Sequence, residues 1–137
     1  MMLTLRHGDC VEVMGSIPEG SVGAVVCDPP YGIRFMNKEF DDLGDGTDQH
    51  AWLAAWLREC FRVLVPGGRI LAFGGSRVYH RMAAAFDDAG FIDVGLEAWS
   101  YGSGFPKSMS LSEVGWSGWG TQLKPAWEPF IVGTKPG

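Results

Sequence analysis

Val22-Gly23-Ala24-Val25-Val26-Cys27-Asp28-Pro29-Pro30-Tyr31-Gly32 is a short apolar run that ends abruptly in a carboxylate, two prolines and an aromatic ring. The run is rich in β-branched residues, preceded by Gly20-Ser21 and closed by the double proline. It predicts a strand buried on both faces of a parallel sheet, with Asp28 at the carboxyl end, where open α/β sheets place their ligands. Consecutive prolines fix two φ angles and remove two backbone donors, so the carbonyls of Asp28 and Pro29 are expected to stand as acceptors without ladder partners. Such a cluster suits a flat group bearing an amino group: the carboxylate and a carbonyl accept one N–H each, and Tyr31 offers a stacking face. A proline-rich turn capped by Asp28 is the plainer reading, but a turn does not need this residue order straight after a buried strand.

Upstream, Met2 to Arg6 alternates apolar and polar residues and predicts a short strand, followed by a turn at His7-Gly8-Asp9. Asp9 is a natural cap for a brief helix from Cys10 to Ile17, which Pro18-Glu19-Gly20 ends. Downstream, Ile33 to Gly46 has no clear period and predicts a loop above the carboxyl end of the first buried strand. Thr47 or Asp48 is expected to cap a helix whose Trp52, Leu53, Trp56, Leu57, Cys60 and Leu64 make one apolar stripe, ending at Pro66-Gly67-Gly68. A strand from Arg69 to Phe73 turns at Gly74-Gly75-Ser76 into a helix carrying Val78, Met82, Phe86 and Ala89, stopped by Gly90. The unit repeats a doubly wound pattern. Arg77, His80 and Arg81 fit the solvated side of that helix. Ile92 to Ser100 alternates like a strand near a sheet edge, and residues 130 to 132 close the chain with another strand. Between them, Tyr101 to Thr121 is rich in Gly, Ser and aromatics and nearly free of acids. That loop can stack on unpaired bases, or can be a surface loop pinned by buried tryptophans. Gly102 and Gly104 do not make a dinucleotide fingerprint, since the third glycine and the following helix are absent.

With 137 residues and 46% hydrophobic content, the chain is expected to form one domain with a real core. No stretch approaches the ~18 apolar residues of a membrane span, so a soluble cytoplasmic protein without a membrane partner is expected. Three scattered cysteines, Cys10, Cys27 and Cys60, suggest neither a disulfide framework nor a metal site. The net charge of −5 argues against wholesale phosphate binding, so contacts to nucleic acid would have to be local.

Asp28-Pro29-Pro30-Tyr31 resembles the catalytic motif of the amino-methyltransferases, which move a methyl group from S-adenosylmethionine to the exocyclic amine of adenine or cytosine in DNA. The order of strand, Gly8-Asp9, short helix, strand and Asp-Pro-Pro-Tyr is similar to the subgroup whose catalytic motif precedes its cofactor motif. Leu64 to Gly75, Gly104-Phe105-Pro106-Lys107-Ser108 and Leu123 to Pro136 extend the likeness to phage and bacterial DNA methyltransferases over nearly the whole chain. The resemblance implies a Rossmann-like α/β methyltransferase fold with a mostly parallel sheet. Residues 1–137 would be its catalytic half, with the Gly/aromatic-rich loop at 101–121. It implies S-adenosylmethionine as cofactor, with Asp9 near it, and DNA as partner, with the target base swung out of the duplex as in restriction-modification enzymes. Asp28, Pro29, Pro30 and Tyr31 would be catalytic, and Phe105, Lys107 and Lys124 would contact DNA. A leading Asp goes with adenine more often than with cytosine. RNA bases, a glutamine amide, or an inactive base-binding remnant are the alternatives. One departure stands out: the subgroup's glycine-rich motif, of the type Asp-Pro-Phe-x-Gly-Ser-Gly-Thr, is absent. The sheet is therefore expected to be incomplete on its cofactor side, with the rest on a missing C-terminal half or a second chain, and the chain alone inactive.

Overall fold

A computed structural model describes residues 3–34, 37–103, 109–120 and 126–137. Within them the order is α1 (Cys10–Gly15), β1 (Val22–Cys27), α2 (Gly46–Val63), β2 (Leu64–Phe73), α3 (Tyr79–Asp88), β3 (Ile92–Ser100) and β4 (Trp127–Thr134). Leu3 to Arg6 is not a strand: it pairs with nothing in the sheet, and Leu3 and Leu5 are almost fully exposed. Alternation alone cannot make a strand without a ladder partner.

The four strands form one sheet in the order β1-β2-β4-β3. β1 pairs with β2 in parallel, Val25 opposite Ile70 and Cys27 opposite Ala72. β4 runs antiparallel to both its neighbours. Three strands therefore share a direction and one is reversed between them, so the expected parallel sheet holds in strand direction while its ladders are mixed. β3 lies at one edge, as its alternation predicts, and β1 lies at the other.

All three helices pack together on one face, α1 and α3 each against α2. Leu53, Trp56, Leu57 and Cys60 of α2 and Met82, Ala85 and Phe86 of α3 meet Ile70, Ala72 and Ile131 of the sheet in a single buried cluster. Period 3.6 on the helices and period 2 on the strands converge there. The opposite face carries Val26, Leu71, Phe73, Phe130, Val132 and Trp99, with no helix over it among the described residues. β1 is thus covered on one side only: Val22, Val25 and Cys27 reach the core, whereas Val26 is 72% exposed. The expectation of a strand buried on both faces is corrected accordingly, because apolar composition reports compatibility with burial, not the presence of a second layer.

α2 begins at a capping box formed by Asp45 and Asp48, with Asp45 rather than Thr47 or Asp48 as the cap. It ends at Val63, and Leu64 already belongs to β2, whose register with β1 breaks over Val65 to Gly68. Gly67 adopts a positive φ of 75° in that break and hydrogen-bonds Lys135. Gly90 closes α3 with a φ of 90°.

Candidate active site

β1 delivers Asp28 to the carboxyl end of the sheet, exposed, directly before a buried Pro29. Among the described residues no hydrogen-bond donor reaches the carbonyl of Pro29. Tyr31, two residues on, is half-buried and sits over Gly75 at the end of β2, where an added Cβ would lie 3.3 Å from the ring. That glycine is what lets the ring approach the backbone.

The turn that follows is held by two buried polar side chains, Asp41 and Gln49. Asp41, 2% exposed, accepts from the backbone N–H of Gly32 at 2.8 Å and of Ile33 at 3.2 Å. Gln49, 3% exposed on the first turns of α2, donates from Nε2 to the carbonyl of Tyr31 at 2.7 Å and accepts from Arg81 of α3. Gly32 has a φ of 65°, and a Cβ there would collide with the Gln49 amide. Of the loop expected from Ile33 to Gly46, Asp41 thus grips the turn that follows Pro29-Pro30-Tyr31. Arg81 departs from the solvated role expected of its helix face, whereas Arg77 and His80 are exposed.

The hydroxyl of Tyr31 donates to Oε1 of Glu128 at 3.1 Å, and the hydroxyl of Tyr101 donates to Oε2 of the same carboxylate at 2.6 Å. β4 enters beside the carboxyl end of β2, with Gly74 N–H bonded to the Pro129 carbonyl, which is why Glu128 arrives next to Tyr31. Burial first, then the adjacent Asp28 carboxylate, then Glu128 raise the Tyr31 hydroxyl well above its ordinary value. The Glu128 bond is the main cause of the upward shift at Tyr101. Cys27, just before Asp28, is pushed up to about 12 by burial and then by Asp28, so its thiol is held neutral and has no nucleophilic character.

A shallow, open cleft of about 10 Å³ lies beside Tyr31, lined by Pro30, Gln49, Leu53, Gly75, Tyr79 and Met82 among others. Whole small-molecule sites usually run ~300–1,000 Å³. Asp9 caps α1, its Oδ1 accepting from Val11 N–H at 2.9 Å and Glu12 N–H at 3.1 Å. Phe105, Lys107 and Lys124 lie outside the described residues. Of the 101–121 loop, residues 109–120 form a small turn closed by a bridge between Ser110 and Gly120. Its Trp116 and Trp119 meet edge to face and are 61% and 66% exposed, so the alternative of a loop pinned by buried tryptophans does not describe this part.

A family model described as DNA methylase matches residues 22–137. The chain belongs to the DNA methylase family. YubD of Escherichia coli (strain K12), named as a candidate methylase, is 37% identical over 90 residues, covering 65% of this chain and 39% of its own. The type II methyltransferase M.BamHI of Bacillus amyloliquefaciens is 33% identical over 75 residues, covering 50% of this chain and 16% of its own. The structure of TTHA0409 from Thermus thermophilus, a candidate DNA modification methylase complexed with S-adenosyl-L-methionine, superposes with a TM-score of 0.64. It is 27% identical, over 95% of this chain and 52% of that one. PvuII DNA methyltransferase (cytosine-N4-specific), at 22% identity and a TM-score of 0.69 over 93% of this chain and 47% of that one, shares the fold. The chain thus spans about half or less of the length of these relatives. The Rossmann-like α/β methyltransferase fold is that of the family.

In this member of the family, Asp28, Pro29, Pro30 and Tyr31 stand together at the end of β1. Sequence reasoning did not single out Asp41, Gln49, Tyr101 or Glu128 as site residues. Glu128 carried the one available signal, its place in the Trp-Glu-Pro segment of the resemblance. The carboxylate of Asp9, expected near the cofactor, is engaged as the cap of α1.

Proposed function

We propose that the chain is the methyl-acceptor half of an S-adenosylmethionine-dependent DNA methyltransferase acting on the exocyclic amine of adenine. The observation that carries the reading is the Asp28 carboxylate and the Pro29 carbonyl, which no donor reaches among the described residues, beside the Tyr31 ring at the carboxyl end of β1. An adenine swung out of the duplex costs a few kcal/mol to unstack, which stacking on Tyr31 offsets. Asp28 and the Pro29 carbonyl accept the two amino hydrogens. That draws the nitrogen lone pair out of conjugation with the ring and directs it outward, so the residues contribute positioning and electrostatic stabilisation of the positive charge that develops on nitrogen. S-adenosylmethionine supplies an electrophilic methyl group in this chemistry. The preference for adenine over cytosine rests on the leading Asp of the motif. The Thermus relative solved with S-adenosyl-L-methionine supports the cofactor, and the exposed Trp116 and Trp119 suit contact with unpaired bases.

The test is methyl transfer to DNA by the full-length polypeptide, with Asp28→Asn and Asp28→Ala compared at matched S-adenosylmethionine affinity. Loss of one acceptor in the transition state is expected to cost about 10²- to 10³-fold in kcat with KM little changed. Transfer that survives Asp28→Ala with little loss removes Asp28 from the chemistry. Methyl groups recovered on cytosine, RNA or a glutamine amide instead would redirect the substrate assignment.

A further inference from the structure

We infer that Glu128 is a positioning residue for methyl transfer: by accepting from the hydroxyls of both Tyr31 and Tyr101, its carboxylate fixes the Tyr31 ring in the plane on which an extruded base stacks. The inference rests on the stacking role proposed for Tyr31.

Three features of the geometry lead to it. Tyr31 and Glu128 are 97 residues apart in sequence, and their contact exists only because β4 inserts beside β2. The two oxygens of Glu128 are divided between two tyrosines, one on the catalytic turn and one at the start of the Gly/aromatic segment, whose backbone N–H bonds the Ala126 carbonyl at 2.7 Å. A tyrosine held only through Cα keeps a rotating ring, whereas one held by Gln49 at its carbonyl, by Gly75 below the ring and by Glu128 at its hydroxyl has one orientation. A stacking surface presented in one orientation spares the base the entropy of ordering it. The same carboxylate links Tyr101, at the start of the 101–103 segment, to the turn that carries Tyr31.

The Tyr101 hydroxyl, raised chiefly by its bond to Glu128, gives the clamp a signature that needs no substrate. On the full-length protein, tyrosinate absorbance is followed through an alkaline titration in the parent and in Glu128→Gln, which keeps the shape but removes the charge and one acceptor. Tyr101, whose shift comes chiefly from Glu128, is expected to ionise at lower pH in Glu128→Gln, whereas Tyr31 stays raised by burial and Asp28. An unchanged titration overturns the clamp. Base extrusion is then read with DNA carrying 2-aminopurine at the target position, for Glu128→Gln, Tyr31→Phe and the pair together. Each single change is expected to weaken the extrusion signal about three- to tenfold, the worth of one hydrogen bond, and the double variant no further than the worse single. Independent, multiplying effects would mean that Glu128 does not act through Tyr31 and would overturn the inference. Tyr31→Ala separates the two layers of the argument. If it abolishes the signal while Glu128→Gln leaves it intact, the role of Glu128 falls alone; if it too leaves the signal intact, the stacking role of Tyr31 falls and takes this inference with it.

Discussion

Tyr31 is gripped at three points, so its ring and its hydroxyl contribute separately. Tyr31→Phe keeps the face that stacks on a base and gives up the hydroxyl's contacts with Glu128 and Asp28, so a loss of about three- to tenfold is expected. Tyr31→Ala also removes a base–aromatic stack worth ~1–3 kcal/mol, roughly 5- to 150-fold in affinity for the extruded base. Titrating each variant with a target duplex and measuring kcat and KM separates the two contributions. Equal damage from both changes would place the importance in the hydroxyl rather than the ring. The place of Asp28 and Tyr31 at the end of β1 was legible from sequence because an apolar strand stops directly before them. Glu128 was not, because nothing local to Trp127-Glu128-Pro129 indicates that β4 runs back beside the carboxyl end of β2.

The elements around the site were legible where periodicity fixes them and obscure where contacts between elements do. The apolar stripe of α2 and the glycine stop of α3 follow from local rules. The cap of α2 was misplaced by two or three residues because Asp45-Gly46-Thr47-Asp48 offers several capping side chains, and only the reciprocal pair of Asp45 and Asp48 satisfies both ends of the box. Gln49 reads as an ordinary polar position on α2, yet the crossing of α2 and α3 buries it between Tyr31 and Arg81. That cradle predicts a difference between two glycines of similar backbone conformation. Gly32 and Gly20 have φ of 65° and 60°, so alanine at either strains the chain by ~1–2 kcal/mol, readable in urea unfolding. At Gly20 nothing lies within 4 Å of the added Cβ, whereas at Gly32 it displaces the Gln49 amide from the Tyr31 carbonyl. Gly20→Ala is therefore expected to lose stability but keep methyl transfer, and Gly32→Ala to lose both. Equal activity in the two variants at matched folded fraction would show that the Gln49 cradle is not needed to position Tyr31.

At the scale of the whole molecule, helices cover one face of the sheet and none covers the other among the described residues. The helix side holds a single continuous core, while the opposite side presents Val26 at 72% and Trp99 at 55% exposure around the partly covered Leu71, Phe73, Phe130 and Val132. Beside it, the outer edge of β1 has no strand partner among the described residues. An apolar sheet face and a free strand edge are each templates for association, and here they adjoin. A net charge of −5 opposes association only weakly once salt shortens the range of repulsion to about 10 Å. The 137-residue chain is expected to self-associate in light scattering at moderate salt, more strongly as salt rises, since screening removes the repulsion and leaves the apolar attraction. Val26→Lys with Trp99→Lys places two charges on the open face without touching the core cluster, and should lower the association while leaving the far-ultraviolet circular dichroism unchanged. Association that persists undiminished in the double variant, with the fold intact, would exclude this face as its cause and leave the edge of β1 as the surface to block next.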